Sequence, residues 1–393
     1  MGAYHQMGHD TQNLVGLEGL ENYAGVILSP VNRTQAELKA DVAKFRQTGP
    51  VDVILDPQLY CPRSDRGELK NHTYFPQDFD TMDPSNDIWW RDIVRQLIDE
   101  GEDIETNGIC SPAIIPSKWS ADYFGRCMET YRTLEQELGG PSSIVKPWLT
   151  LCVPMSELAQ PSEALRIASI ATRGSPPRGV YLVFHSDTEP RREIADAAIL
   201  AGAMILVAML TKAGTKVLVS HCSSDMMLMK AAGATHCATG KFFNLRRFTK
   251  TRFASSDDDS GGRVIPYWFE TSLCAYLRQV DIFRLQRDGK SDLLAQHQSN
   301  SAWSLEILTQ FANDPKKGWL GLSWRQYLAW FVAMEKRLSG IGARSELSAI
   351  LKTAEKNWET LEDDNVLMEE NRNDGRWIRP WRQTLTDLEK FAP

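Results

Sequence analysis

The segment DPQLYCPR places Asp56, Gln58, Tyr60 and Arg63 directly after a short apolar run, Val51 to Leu55. A carboxylate that ends a buried strand loses part of its hydration, which suits it to act as a general base, a nucleophile or the partner of a developing cation. The same carboxylate can instead cap the following loop through backbone N–H groups. Asp52, at the other end of the run, reads as structural. Two further polar pairs stand beside apolar runs, His9 with Asp10 and His185 with Asp187. Each can supply acid and base functions or bind a sugar hydroxyl, and each can equally be a satisfied hydrogen-bonded pair on a rim. Asn107, at the end of another run, suits recognition of a base or sugar edge, or serves as the turn residue before Gly108.

His221, Cys222, His236 and Cys237 invite a zinc reading. Neighbours in a strand point to opposite faces, however, so core packing is the expectation, with no metal and no cofactor. The run GKFFNLRRFTKTRF, from Gly240 to Phe253, carries Lys241, Arg246, Arg247, Lys250 and Arg252 and no acid. Interleaved with Phe242, Phe243, Phe248 and Phe253, these cations suit phosphate contact with the rings packing or stacking, and Asn244 between them suits substrate contact. A solvated cationic helix face over buried phenylalanines is the other reading. A second cluster, NRNDGRWIRPWR, offers Arg372, Arg376, Arg379 and Arg382 around Trp377 and Trp381, with Asp374 diluting it. Two such patches fit a polymeric phosphate substrate better than a small metabolite, and Arg–Trp stacking within the chain would explain the second equally well.

Seven short runs can position these residues: Ala24 to Leu28, Val51 to Leu55, Asp103 to Ile109, Ile144 to Val153, Gly179 to Phe184, Lys216 to Ser220 and Thr235 to Thr239. An eighth is expected within Tyr4 to Val15. Helical patterns lie between most of them, as in Gln35 to Arg46, Ile88 to Glu100 and Arg191 to Leu210. Strands alternating with helices pair in parallel, and polar residues at nearly every strand end favour a (β/α)8 TIM-like barrel, an α/β fold, over an open doubly wound sheet. No Gly-x-Gly-x-x-Gly fingerprint follows the first run. The loops after the last barrel strands are the habitual phosphate site of such barrels, which is where the run from Gly240 falls. The long insertion from Cys61 to Asp87 reads as a lid or binding element.

Residues 1 to 253 are expected to form the barrel, and residues 264 to 393 a helical region packed on it, with the acidic loop ASSDDDSGGR between them. Helices are expected at Trp268 to Arg287, Trp303 to Asn313, Trp324 to Leu338 and Arg344 to Leu361, with a turn or helix over Trp381 to Phe391. A net charge of -7 predicts no general affinity for nucleic acid, so the local clusters have to supply it. The seven cysteines contain no Cys-x-x-Cys pair and read as reduced thiols. No apolar run is long enough to span a bilayer, and Met1 to Asn13 lacks a basic n-region and an apolar h-region. A soluble cytoplasmic protein without a membrane partner is the expectation.

The barrel, the strand-end aspartate in DPQLY and the basic exit GKFFNLRRF together resemble the tRNA-guanine transglycosylase superfamily, including relatives that act on DNA, over roughly residues 1 to 250. That family's Cys-x-Cys-x-x-Cys zinc site with a distal His is absent here, which sets zinc and base exchange aside. The resemblance implies cleavage of a base–sugar bond, and a simple glycosylase completing the reaction with water fits the loss. Relatives of this type include bacterial antiphage DNA glycosylases that remove modified bases. On that reading Asp56 stabilises or attacks the sugar cation, and Asp10 or Asp187 positions water or protonates the leaving base. Lys241, Arg246 and Arg247 clamp phosphates, Gln58, Tyr60, Asn107 and His185 read a flipped base, and His9, Arg63 and Asn244 join them in binding substrate. Lys250, Arg252, Arg376 and Arg379 contact nucleic acid, DNA in preference to RNA. Two other functions fit the residues. One is a barrel enzyme for a small phosphorylated metabolite, with Lys241 and Arg246 on the phosphate and Asp56 abstracting a proton. The other is a non-catalytic nucleic-acid-binding subunit. The first reading requires Asp56 and the cationic run to share a cavity.

Overall fold

The computed structural model describes residues 2–9, 23–49, 51–63, 67–79, 86–140, 143–253, 264–295, 302–370 and 373–391. The apolar runs become eight strands: β1 (Tyr4–Gln6), β2 (Gly25–Leu28), β3 (Asp52–Leu55), β4 (Gly108–Cys110), β5 (Lys146–Pro154), β6 (Gly179–His185), β7 (Lys216–Val219) and β8 (His236–Thr239). Each pairs in parallel with the next, and β8 closes onto β1 where Tyr4 meets Ala238. Strands of a closed parallel barrel are covered on both faces, which accounts for unbroken apolar stretches such as Val53, Ile54 and Leu55, all fully buried.

Around the strands lie α1 (Gln35–Thr48), α2 (Asp87–Ile104), α3 (Tyr123–Glu137), α4 (Pro161–Ala171), α5 (Ala197–Lys212) and α6 (Met226–Ala231), which makes the fold a (β/α)8 TIM-like barrel. Local chemistry sets where the helices start. Thr34 and Glu37 form a capping box at α1, and the Asp196 carboxylate accepts from Ala198 N and Ile199 N at 2.9 and 3.1 Å to start α5. The Ala- and Met-rich α5 is buried continuously from Leu200 to Ala208, as a core-facing helix should be. Packing fixes the strands against one another. A Cβ on Gly108 or Gly179 would come within 2.8 or 2.6 Å of the Trp148 indole, so glycines on β4 and β6 make room for a tryptophan on β5 between them.

The described residues beyond the barrel differ in part from the expected pattern. Instead of a helix from Trp268, an antiparallel hairpin forms from β9 (Trp268–Glu270) and β10 (Ala275–Leu277). Its turn is held by Glu270, whose carboxylate accepts from Ser272 N at 2.9 Å and Trp268 Nε1 at 3.0 Å. Helices α7 (Gln279–Arg287), α8 (Ser291–Ala295), α9 (Ala302–Asn313), α10 (Leu320–Arg337), α11 (Ala343–Asp363) and α12 (Ile378–Phe391) follow. They dock on the barrel through specific polar contacts. Lys230 of α6 donates to Glu335 of α10 at 2.8 Å with both side chains buried, Tyr327 OH lies 3.0 Å from Thr239 Oγ1, and Trp381 Nε1 donates to Ile194 O at 2.8 Å. Among the described residues no helix is long and apolar enough to cross a membrane.

Candidate active site at the barrel mouth

Asp56 stands immediately past β3, at the C-terminal end of the barrel, and only 1% of it is exposed. Its Oδ1 accepts from Gln58 N at 3.0 Å, and its Oδ2 accepts from Tyr60 OH at 2.9 Å and Tyr181 OH at 3.2 Å. Tyr181 reaches from β6 and also lies 3.2 Å from Gln6 Oε1 on β1, so residues from three strands meet at the acid. Burial pushes the Asp56 carboxyl up to about 6, against the pull of its three donors and of the Arg252 guanidinium. The turn that presents it is tight. Gln58 takes a left-handed φ of 54°, and its side chain is held by Val31 N at 3.0 Å, so Gln58 shapes the loop from within the protein.

Aromatic rings roof this acid. The Tyr60 ring packs edge-on against Phe248 at 5.0 Å and Phe253 at 4.9 Å, while Phe248 and Phe253 stack at 5.5 Å. Phe248 also touches the rings of His185 and His221, at 6.1 and 5.3 Å, and bridges to the His185 backbone. It therefore occupies the centre of the mouth. His221 has a left-handed φ of 52°, its Nδ1 lies 3.1 Å from Ser220 Oγ, and its Nε2 is buried without a hydrogen-bond partner. Burial, with the nearby Arg252 charge, drives this imidazole down to about 3, so it is neutral at ordinary pH. Gln6 Nε2 is also buried and unpartnered. Orphaned buried donors and acceptors are uncommon, and here one lies on β1 beside the Tyr181 hydroxyl that meets the acid and another just past β7 under Phe248.

The cationic run behaves differently from either reading of its sequence. Residues 240–253 form an irregular loop with two short 3-10 turns, and most of its cations turn inward. The Lys241 ammonium lies 4.0 Å from the Trp324 ring centre. The Arg246 guanidinium sits 3.5 Å above Tyr327 and donates to Gly240 O and Lys241 O at 3.1 and 2.9 Å. Arg247 hydrogen-bonds the carbonyl of Arg192 and faces Asp225 at 3.5 Å and Glu193 at 3.9 Å. Burial pushes the Glu193 carboxyl up to about 7 despite that guanidinium. Arg252 donates to Asn32 Oδ1 at 2.9 Å and Ser29 Oγ at 3.1 Å. Lys250 is half-buried and Asn244 is exposed. Lys241, Arg246 and Arg247, expected to clamp phosphates, are thus engaged by protein groups in this conformation.

One expectation is corrected outright. Asn107 precedes β4 rather than following it, because α2 runs on to Ile104 and Glu105 ends it with a φ of 65°. Its Oδ1 accepts from Val53 N at 3.0 Å at the N-terminal end of the barrel, away from the mouth, so it cannot read a base there. His185 stands half-buried at the mouth, its imidazole lowered by burial, and Asp187 and His9 are exposed. Asp10 lies outside the described residues. Arg379 pairs with Glu355 and Glu359 at 3.0 and 3.3 Å, and Arg376 pairs with Asp374, so both arginines are exposed and paired with acids, while Trp377 and Trp381 are buried and Arg372 lies outside the described residues. Of His221, Cys222, His236 and Cys237 only the two thiols meet, Cys222 against Cys237, while His236 Nδ1 lies 2.9 Å from Gly2 O and His221 Nδ1 3.1 Å from Ser220 Oγ. Among the described residues no group of three or more His, Cys, Asp or Glu is placed to hold a metal ion. Sequence reasoning missed Tyr181 and Gln6, for which the only signal was a polar side chain inside a strand that otherwise faces a dry core.

Beside the roofed acid opens a cleft of about 570 Å³ between the insertion after β3 and the loop after β4. Tyr60 is the shared wall, since it lines this cleft and donates to Asp56. The insertion is anchored from below: His72 hydrogen-bonds the buried Glu100, and Thr73 donates to the same carboxylate from its N and Oγ1 at 3.1 and 2.9 Å. Burial would lower the His72 imidazole, but Glu100 and the carbonyls of Arg33 and Pro30 outweigh it and hold it above its usual value.

Fold and site together define a (β/α)8 barrel with a desolvated carboxylate at the end where such barrels carry their chemistry. Set against protein-family models and curated protein sequences, nothing matches the chain.

Proposed function

We propose that the protein is an enzyme that cleaves the N-glycosidic bond of a nucleobase, with a DNA glycosylase acting on a modified base as the favoured form. The observation that carries this reading is the environment of Asp56, a carboxylate sealed from water, oriented by Tyr60 and Tyr181, and raised to about 6 by burial. As the bond between sugar C1′ and the base nitrogen breaks, the electron pair leaves with the base and positive charge builds on the sugar. An ionised carboxylate fixed in a low-dielectric site stabilises that charge far better than water-exposed acids can, or bonds to C1′ directly. Water then adds to C1′, and its proton passes to the departing base or to solvent. With a value of about 6 the carboxylate is mostly ionised at neutral pH, the form this step uses. Because Asp56 is roofed, a substrate reaches it only when Tyr60 or Phe248 moves, and a base in a duplex has first to leave the stack.

The alternative of an enzyme for a small phosphorylated metabolite would need a phosphate partner other than Lys241 and Arg246, which protein groups engage. Lys241, Arg246, Arg247 and Arg252 are buried, which leaves less cationic surface for a polymer. Incubation with single- and double-stranded DNA carrying normal and modified bases, followed by an assay for abasic sites, tests the first reading. Base release by the wild type, lost in Asp56→Asn, is the expected result. A folded wild-type protein that releases no base from any substrate removes it.

A further inference from the structure

The cleft beside the roof has a character of its own. Arg63, Arg126 and Lys250 line it, and among the described residues no carboxylate does. Its rings include Tyr60, Phe79 and Trp90. In a chain with a net charge of -7, a concave surface of one positive sign concentrates anions. Its volume of about 570 Å³ and mainly apolar lining with a few polar groups are those of a small-ligand site.

We propose that this cleft binds one nucleotide unit, its phosphate on Lys250 and Arg63 and its base against Phe79 and Trp90. The biological sense of the site rests on the nucleobase reading of Asp56, but its test does not. Lys250 is the cation of the basic run that opens into this cleft, while its neighbours on the run turn inward. The exposed Arg63 lines the cleft with its guanidinium 5.4 Å over the Phe79 ring, so cation and ring share one wall. Arg126 lines the opposite wall, with Asp122 at 2.8 Å. Phe79 and Trp90 are both half-buried and are backed by Trp89, at 5.9 and 4.8 Å, which presents them as fixed surfaces for a flat ring. Tyr60 O accepts from Ile115 N at 3.1 Å and so ties the two walls together, which places the cleft one side chain away from the acid. A base held there is adjacent to Asp56 once Tyr60 turns.

The nucleotide can be free or part of a strand, and calorimetric titration of the full-length protein separates these sources. The probes are deoxynucleoside 5′-monophosphates, the matching nucleosides and a short single-stranded oligonucleotide. The monophosphate or the oligonucleotide should bind at least about tenfold more tightly than the nucleoside, and Lys250→Ala and Arg63→Ala should each weaken binding about tenfold, the scale of one charge-assisted hydrogen bond. Both side chains are partly or fully exposed, and circular dichroism verifies that the variants fold. Equal affinity for nucleoside and monophosphate, no binding by either phosphate-bearing probe, or indifference to both substitutions overturns the proposal. Asp56→Asn should retain the binding. Intact nucleotide binding without base release therefore removes the catalytic reading alone, and base release without nucleotide binding in the cleft removes this one alone.

Discussion

Two aspartates close the two ends of one four-residue strand, and they differ in nearly every physical respect. Asp52, at the N-terminal end, is half-exposed and accepts from Tyr4 OH at 2.7 Å. At the same end Asn107 and His236 are also satisfied, by backbone partners Val53 N and Gly2 O. Asp56, at the C-terminal end, is buried, triply hydrogen-bonded and raised to about 6, and beside it Gln6 Nε2 lacks a partner. The first end spends its polar groups on closing the barrel. The second keeps a carboxylate in an unfavourable setting, the kind of arrangement that persists where chemistry requires it.

The largest effect that can break this contrast is on turnover. Asp56→Asn should lower base release by at least about a thousandfold, and Asp52→Asn by less than about threefold, as single-turnover rates on the same substrate would record. The reverse ranking would end the contrast. Stability should move in the opposite sense. Because the folded Asp56 keeps its proton between the usual carboxylate value and about 6, the unfolded chain binds fewer protons there, and folding stability falls as pH rises through that window and levels off above it. The contribution is about 3 kcal/mol. Asp56→Asn should therefore melt at a higher temperature than the wild type at pH 7 and show a flatter profile between pH 4 and 6. A lower melting temperature at pH 7 would mean that the acid is there for structure.

A smaller effect sharpens the comparison. Tyr181→Phe removes one donor from the ionised acid, so the pH at which turnover rises, near 6 in the wild type, should climb by about one unit. Tyr4→Phe, the matching loss at Asp52, should leave that pH unchanged and cost only about 1 kcal/mol in a denaturant titration. The turnover profile of the wild type should itself rise with pH through about 6, since the ionised form does the work; a fall through the same range would assign Asp56 to proton donation instead.

Much of the barrel is legible in the sequence because parallel strands covered on both faces read as uninterrupted apolar runs, and Asp56 is legible because it interrupts one. What is hidden follows from the same physics. Tyr181 lies inside the run GVYLVFH, where nothing marks a hydroxyl that faces the barrel interior. Asn107 misleads because Ile104, the last apolar residue of α2, merges with the apolar residues of β4. The direction of a cation is invisible locally: the rings that draw Lys241 and Arg246 inward, Trp324 and Tyr327, lie about eighty residues further along the chain. The hairpin of β9 and β10 is similarly obscured by aromatic residues that suit a helix or a strand.

Arg246 carries a consequence for how the two parts of the chain depend on each other. Its guanidinium is sandwiched against Tyr327 of α10 only two residues before the phenylalanine that stops the barrel. Trimming the protein back to its barrel would strip away that backing, leaving the loop held by barrel contacts alone: Phe248 against Tyr60, His185 and His221, Arg247 on Asp225, and Arg252 on Ser29 and Asn32. The C-terminal helices thus brace from outside the loop whose phenylalanine plugs the barrel mouth.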